Sequence, residues 1–599
     1  MTFRGSHLYV NGPEIQGVFG VTSLPLTTVA QIISYLDGDV ASLARLCRTS
    51  RSLYYMTVPH LWRSVTLTSY TSIRYKDDVP EGFGSASPFS MGLNALVTRN
   101  VSNLVRSLRL MGDFGGSDQQ ENSKAGRISE YGMILNIAVS AALEKCTQVE
   151  DFRWNLDARI QPNVYSSLAR LSNLQSLWLE FPRTRTPHPI SDLPPLKNLR
   201  SFTMTNYDPL CHPDDISTLL LHGDKLSNVQ MHFSPRMRDQ GEPSVIFPHF
   251  FRRLVMAKKQ LKIARLGVYN LLASMDAAVC MSVLDTTYCE DFTAINSFGF
   301  DEDAFTAPSN ATYFIDRTWL VPFEQIDKPK PKTLRVDQLH KRHALELQRA
   351  AGLEHLYLVN ARHKPEGVNG YSQSHSTPNS AGASPYALSA SGSGSGSGSR
   401  SSSRSTPTPN NSLRDLYMDN ICNVCGPSLK HLILPSRWPL HQTSLARLIR
   451  SAPNLTQLSA ALMCSNMQVT RMLMPFLGKL YAIRLLSPTQ EGAEGDKLRC
   501  EFERFVSGDD EHHIQKFSEE LGGTTASGGK SEFPRLRYVG LGPKVWLIGG
   551  IIDETVVVPS GDEETKGAGE IRYRRRVTRI SESEVMDVEI WKMDSLDVI

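Results

Sequence analysis

The sequence predicts an α/β protein in two parts: a short three-helix module near the N-terminus, then a long array of stacked helix–strand units broken by insertions. Three observations carry this expectation. Residues 24–67 hold three successive apolar stripes at helical spacing. Beyond them the pattern apolar-x-x-apolar-x-apolar recurs: copies at Leu174, Leu199 and Leu226 stand 25 and 27 residues apart, and copies at Leu429, Leu455 and Leu480 stand 26 and 25 apart. Finally, 599 residues exceed what one compact core holds, so the chain is several domains or one elongated array.

Residues 1–20 show no periodicity and are expected to be a tail. In the next stretch Val29, Ile32, Ile33 and Leu36 fall on one helical face, and Pro25 suits the first turn, where a missing N–H costs nothing. After an Asp37-Gly38-Asp39 turn, Asp39 is placed to cap a second helix on which Val40, Leu43 and Cys47 share a face. A third helix is expected from about Ser50, stopping before Pro59. Helices this short cannot bury their stripes among themselves, so a partner surface is expected.

The ordered set Leu24-Pro25, Ile32-Ile33, Leu36, Asp39-Val40, Leu43, Cys47-Arg48, Leu53 and Leu61-Trp62-Arg63 resembles an F-box, assigned here to residues 21–67. It departs from the common pattern at Thr27 and Ser50. The resemblance implies docking on a Skp-type adaptor, with Leu24, Pro25, Ile32, Ile33, Leu36, Leu43, Leu61 and Trp62 forming the adaptor interface or its supporting core.

The recurring pattern resembles leucine-rich repeats, whose period is about 20–29 residues. Further copies begin at Val105, Val149, Ile263, Ile295, Leu353 and Leu536. Each is preceded by a helix-like stripe in the clearest cases: Val164, Leu168 and Leu171 before Leu177-Trp178-Leu179, and Leu445, Leu448 and Ile449 before Leu455. One such unit is too small to stand alone and must stack on its neighbours, which makes a curved α/β solenoid. The expected layout is a first solenoid part over 68–360, a disordered Ser/Gly-rich insertion over 361–412, and a second part over 413–599 with a C-terminal cap. Residues 302–335 and 487–532 look like surface excursions. Because side chains alternate across a strand, the x residues point away from the core. Among them Arg153, Trp178, Thr203, Gln230 and Tyr357 are the candidate substrate-binding residues, since arginine and aromatic side chains dominate binding hot spots.

Several function classes find no support in the sequence. A formal charge of +3, from 64 basic and 61 acidic residues, supplies no global attraction for nucleic acid or an anionic membrane. No apolar run approaches 18 residues, and the first residues lack the build of a signal peptide. Nine scattered cysteines fit reduced thiols inside the cell, in the cytoplasm, the nucleus or both. Cys422-x-x-Cys425 lacks a second ligand pair for zinc and is expected to pack, and Glu511-His512-His513 is expected to face solvent. No phosphate loop, nucleophile elbow or metalloprotease helix occurs, so no catalytic residue, metal or cofactor is expected. The Arg572–Arg579 cluster is a nuclear-import candidate or a solvated face, and Thr377-Pro378, Ser384-Pro385, Thr406-Pro407 and Thr408-Pro409 are phosphorylation candidates.

Together the two resemblances imply a non-catalytic substrate-recognition subunit of an SCF-type (cullin–RING) ubiquitin ligase. The F-box would hold the adaptor and the repeats an unknown target protein. Two other readings stand beside it: a leucine-rich-repeat interaction scaffold that never joins a ligase, and a hydrolase on a large α/β fold.

Overall fold

The computed structural model describes residues 24–76, 78–82, 86–114, 129–183, 188–212, 214–234, 251–270, 282–295, 331–337, 339, 344–345, 347–359, 409–463, 478–489, 493–507, 535–556 and 570–599. Three short helices lead the chain: α1 (Leu26–Ser34), α2 (Val40–Cys47) and α3 (Arg51–Leu61). Asp39 caps α2 as its position predicts, accepting a 2.9 Å hydrogen bond from the Ser42 amide. Ser50 caps α3 in the same way, accepting from the Leu53 amide. A serine where the resemblance favours a bulky residue thus satisfies an otherwise orphaned donor. Ile33, Leu43 and Met56 form a small core among the three helices, with Leu26, Val29, Leu36 and Leu61 packed around it. One expectation is corrected: α3 does not stop before Pro59 but runs through it to Leu61. Proline in the last turn forfeits only its own donor, and the Trp62 amide still reaches the Val58 carbonyl at 3.0 Å.

From Ser64 onward the described residues build one open sheet of 16 strands whose spatial order is their order in the sequence. Within this sheet each strand pairs parallel with the next as far as Tyr538–Leu541. Lys544–Val556 then reverses and pairs antiparallel with both Tyr538–Leu541 and Glu570–Ile580, and a separate two-stranded hairpin joins Tyr75–Lys76 to Val79–Pro80. The physical unit is clear at Pro162–Glu180. Pro162 opens a helix whose Val164 and Leu168 are buried; the chain then turns, and strand Ser176–Glu180 points Leu177 and Leu179 into the same core. Register repeats the arrangement sideways, so that Leu177 stands beside Phe202 and Phe202 beside Val229. A single apolar core runs beneath the sheet from Val65 to Ile548. Without its neighbours each unit would expose that face to water, so contiguity is what makes the units stable.

The structure moves several sequence-based boundaries. Trp62-x-x-Val65-x-Leu67 is itself a copy of the pattern, and its strand Ser64–Ser69 starts the sheet. The copy expected to begin at Ile295 is displaced: strand Asp291–Ile295 carries Phe292 and Ala294 on the core side, and Ile295 ends it on the opposite face. Cysteine and alanine at Cys289 and Ala294 hide that unit from a leucine-based search. Thr333–Val336, assigned to an excursion, is a strand inside the sheet. Ala493–Ser507, also assigned to an excursion, is a helix whose Phe502 and Val506 lean on the core. Pro409–Asn420 is helical, so the insertion assigned to 361–412 overshoots by four residues; positions 361–408 lie outside the described residues, as do Glu511-His512-His513 and the Ser/Thr-Pro pairs apart from Pro409, which opens that helix. Across that insertion His355 pairs with His431, and the sheet continues without a break. No helix among the described residues is long and apolar enough to cross a membrane.

Candidate functional site

Two surfaces leave chemistry unsatisfied, one on the N-terminal helices and one on the sheet face opposite the core. On the helices, Ile33 and Leu43 are 1% exposed and serve the internal core. Leu24, Ile32, Tyr35 and Val40 are 47%, 50%, 80% and 58% exposed, and Pro25 is exposed as the residue capping α1. Leu36 and Leu61 are half-buried against the small core, whereas Trp62 packs on the core of the sheet. A 2.6 Å contact between Asp37 Oδ1 and His60 Nδ1 ties the α1–α2 turn to α3. Four large apolar side chains in water on so small a module mark a surface made to be covered.

The bare face of the sheet is organised by register. Arg109 pairs with Arg153, Arg153 with Trp178, Trp178 with Thr203, and Thr203 with Gln230, so four of the five substrate candidates are consecutive in one row. Past Gly267 and Thr293 the same row continues through Arg335 to Tyr357, the fifth. Alternation along parallel strands places these side chains together on the face away from the core.

The two halves of the row differ. In the first, the guanidinium of Arg153 lies 4.9 Å over the Trp178 ring, and Asp151 Oδ2 sits 3.6 and 3.5 Å from Nε of Arg109 and Arg153. Those arginine side chains remain 38% and 32% exposed. Neighbouring Glu180 accepts from Asn206 at 2.9 Å, and burial pushes its carboxyl above the usual range. Gln230 stretches over Gly267, where a Cβ would stand 1.7 Å from its Oε1, and accepts from the Tyr269 hydroxyl.

The second half is covered by the chain itself. Residues 581–599 cross the bare face in two short helices, Glu582–Val585 and Glu589–Lys592. Their Val585, Val588, Ile590 and Trp591 pack against Tyr269, Tyr357, Val359, Ile433 and Ala482. Arg335, 2% exposed, donates to three carbonyls of the segment: Nε to Met593 at 2.8 Å, Nη2 to Ser595 at 2.6 Å and Nη1 to Val598 at 2.8 Å. Arg484 meets Asp594 at 2.8 Å with both side chains at most 5% exposed, and Gln457 Oε1 accepts from the Ile590 amide. Tyr357 is therefore corrected as a contact residue. It is 2% exposed beneath this segment, and its hydroxyl is engaged by His431 Nδ1 at 2.8 Å.

Residues 21–68 match the family model described as F-box-like. That match falls on the helices with the exposed apolar set and ends inside the first strand of the sheet. Residues 21–68 are an F-box-like domain. No curated protein matches the chain. In the F-box-like domain, the residues expected to meet an adaptor fall into two classes. Leu24, Pro25 and Ile32 lie outside, whereas Ile33 and Leu43 hold the helices that present them, with Leu36, Leu61 and Trp62 between. Tyr35 and Val40 are exposed as well and stand outside the expected set, although Val40 belongs to the motif.

Other chemistry-bearing groups are structural. Cys422 and Cys425 are buried free thiols, and burial pushes the Cys425 thiol up to about 12, far from a reactive thiolate. No cluster of metal-ligating side chains occurs among the described residues. A small cleft is lined by Arg159, Tyr165, Glu180, His212 and Asp215. Burial lowers His212 to about 3, which keeps it neutral, and raises Asp215 to about 6 by the same penalty on the charged form. Arg335, Arg484 and the segment they hold were missed by sequence reasoning. The available signal was Arg335 in the x position between Leu334 and Val336, and the apolar stripe Val585, Val588, Trp591.

Proposed function

We propose that this chain is the substrate-recognition subunit of an SCF-type ubiquitin ligase, acting in the cytoplasm or nucleus. In this reading the sheet is an irregular leucine-rich-repeat array, and its bare face captures the target protein. The F-box-like domain docks on a Skp-type adaptor that connects to a cullin–RING ligase. The chain forms no bond itself; it brings a target to subunits that do. The observation that carries the proposal is the F-box-like match at residues 21–68, and the exposed Leu24, Ile32, Tyr35 and Val40 support it as the unpartnered face such docking needs.

Leu24→Ala with Ile32→Ala tests it, because both side chains are half-exposed and neither serves the internal core. Each removes about 1 kcal/mol or more of burial at an interface. Together they are expected to cut co-purification of a Skp-type adaptor at least tenfold while the melting temperature of the chain stays within about 2 °C. Undiminished adaptor recovery overturns the proposal.

A further inference from the structure

The bare face shows how it holds a polypeptide, because it already holds one. Arg335 and Arg484 receive residues 581–599 through two kinds of contact: guanidinium donors to carbonyls just past a helical turn, and a guanidinium–carboxylate pair beside an indole. Carbonyls at the end of a helical turn lack partners within the helix and carry its negative dipole end, which suits an arginine. The held segment is acidic, with Glu582, Glu584, Asp587, Glu589, Asp594 and Asp597 against Lys592 alone.

The same register row offers the same chemistry again at side chains that remain part-exposed among the described residues. Arg109 and Arg153 carry the guanidinium groups and Trp178 the indole. Their terminal nitrogens meet no acceptor among the described residues, and Asp151 stands beyond hydrogen-bond distance of a good pair, at 3.5–3.6 Å. Five strands lie between those of Arg153 and Arg335, so six inter-strand spacings separate the two row positions, about 29 Å. A second short segment fits beside the first without displacing it. Arg109 and Arg153 share Asp151 as their ion-pair partner, while the Glu180 carboxyl is engaged by Asn155 and Asn206, so the guanidinium groups keep capacity for an anionic partner. Asp151 and Glu180 in the same patch oppose a polyphosphate chain, which leaves carboxylates as the better match.

Building on the substrate-receptor reading of the sheet, we propose that Arg109, Arg153 and Trp178 form the docking site for an acidic, helix-forming segment of a target protein, held as residues 589–599 are held by Arg335 and Arg484. Guanidinium groups take the carboxylate and the carbonyls at the end of the helical turn, and Trp178 supplies the aromatic anchor.

The test is a fluorescence-anisotropy titration of a labelled peptide with the sequence of residues 586–599, an acidic probe, against the full chain without adaptor. In the full chain the intramolecular segment keeps its own place. Saturable binding is expected, weakened at least tenfold by Arg109→Gln with Arg153→Gln, and likewise by Trp178→Ala. It is abolished when the four peptide acids become amides. Arg447→Gln, in an exposed pair with Asp419 elsewhere, leaves it unchanged. Arg153→Lys and Trp178→Phe keep charge and ring, and retain part of the affinity if the doubly altered chains are misfolded. Absence of binding at millimolar peptide overturns the proposal. So does equal binding by the Arg109/Arg153 variant, which would mean the probe exchanges with the intramolecular segment, and so does tighter, arginine-dependent binding of a single-stranded oligonucleotide. Because no adaptor is present, these outcomes are independent of whether the F-box-like domain docks.

Discussion

Asp594→Asn isolates what anchors the closing segment. Asp594 faces Arg484 at 2.8 Å with exposures of 2% and 5%, and it also contributes to the field around buried Arg335. Asparagine keeps the shape and removes the countercharge. Breaking a buried pair from one side costs about 3–5 kcal/mol, because the remaining ion has lost water and gains nothing in return. An exposed pair such as Arg170–Glu144, with side chains 71% and 53% exposed, sets the control, since Glu144→Gln is worth about 0–1 kcal/mol. The loss falls on the segment before it falls on the sheet, because residues 581–599 can lift away without breaking the strand ladder. Hydrogen exchange at the Trp591, Lys592 and Met593 amides, which bond to Val588 and Glu589 carbonyls, reads that opening directly. A change of about 3–5 kcal/mol corresponds to exchange faster by roughly a hundredfold or more at these amides. Replacing both partners by apolar residues, Arg484→Met with Asp594→Leu, is expected to restore much of the protection. Exchange no faster than in Glu144→Gln refutes the reasoning and assigns the anchoring to Trp591 and its apolar neighbours alone.

Gly540→Ala tests the same segment from beneath: a Cβ there would stand 2.7 Å from the rigid indole of Trp591, so overpacking is expected to cost about 1–3 kcal/mol and raise protease sensitivity near residue 590. Asp39→Ala removes the cap on α2 and is expected to destabilise the F-box-like domain by about 1 kcal/mol, read by thermal melting. Acidification is expected to weaken the fold. Burial holds His212 down to about 3 and His232 and His431 down to about 4, so through the window from about 6.5 toward 4 the unfolded chain binds protons the folded chain refuses. That amounts to about 2 kcal/mol per histidine at pH 5. Asp215, raised to about 6, acts in the opposite sense: its contribution is present at low pH and lost as pH rises through 6. The sum is a lower urea midpoint at pH 5 than at pH 7, and an unchanged midpoint contradicts it.

Short-range rules determine much of this chain. The stripes in residues 24–61, the cap at Asp39 and the F-box-like residue order are local, because a helix is written in neighbours three and four apart. The strand positions Leu177-x-Leu179, Phe202-x-Met204 and Val229-x-Met231 are equally legible, since burial on one face of a strand forces a period of two. So is the set Arg153, Trp178, Thr203 and Gln230 as residues pointing off the core. The unit whose core positions are held by Cys289 and Ala294 is not, because small residues fill the same space only when their neighbours fix its size.

What tertiary structure alone decided is adjacency over long sequence separation. That Arg109, Arg153 and Trp178 stand side by side follows from strand register, which no single segment specifies. The contact of Arg335 with Met593 spans 258 positions, and that of Arg484 with Asp594 spans 110. An arginine in an outward strand position carries the same local pattern whether it ends in solvent or under a folded-back segment. Arg153 and Arg335 are alike in sequence, one half-exposed and one buried, and the difference is which part of the chain the sheet brings over each.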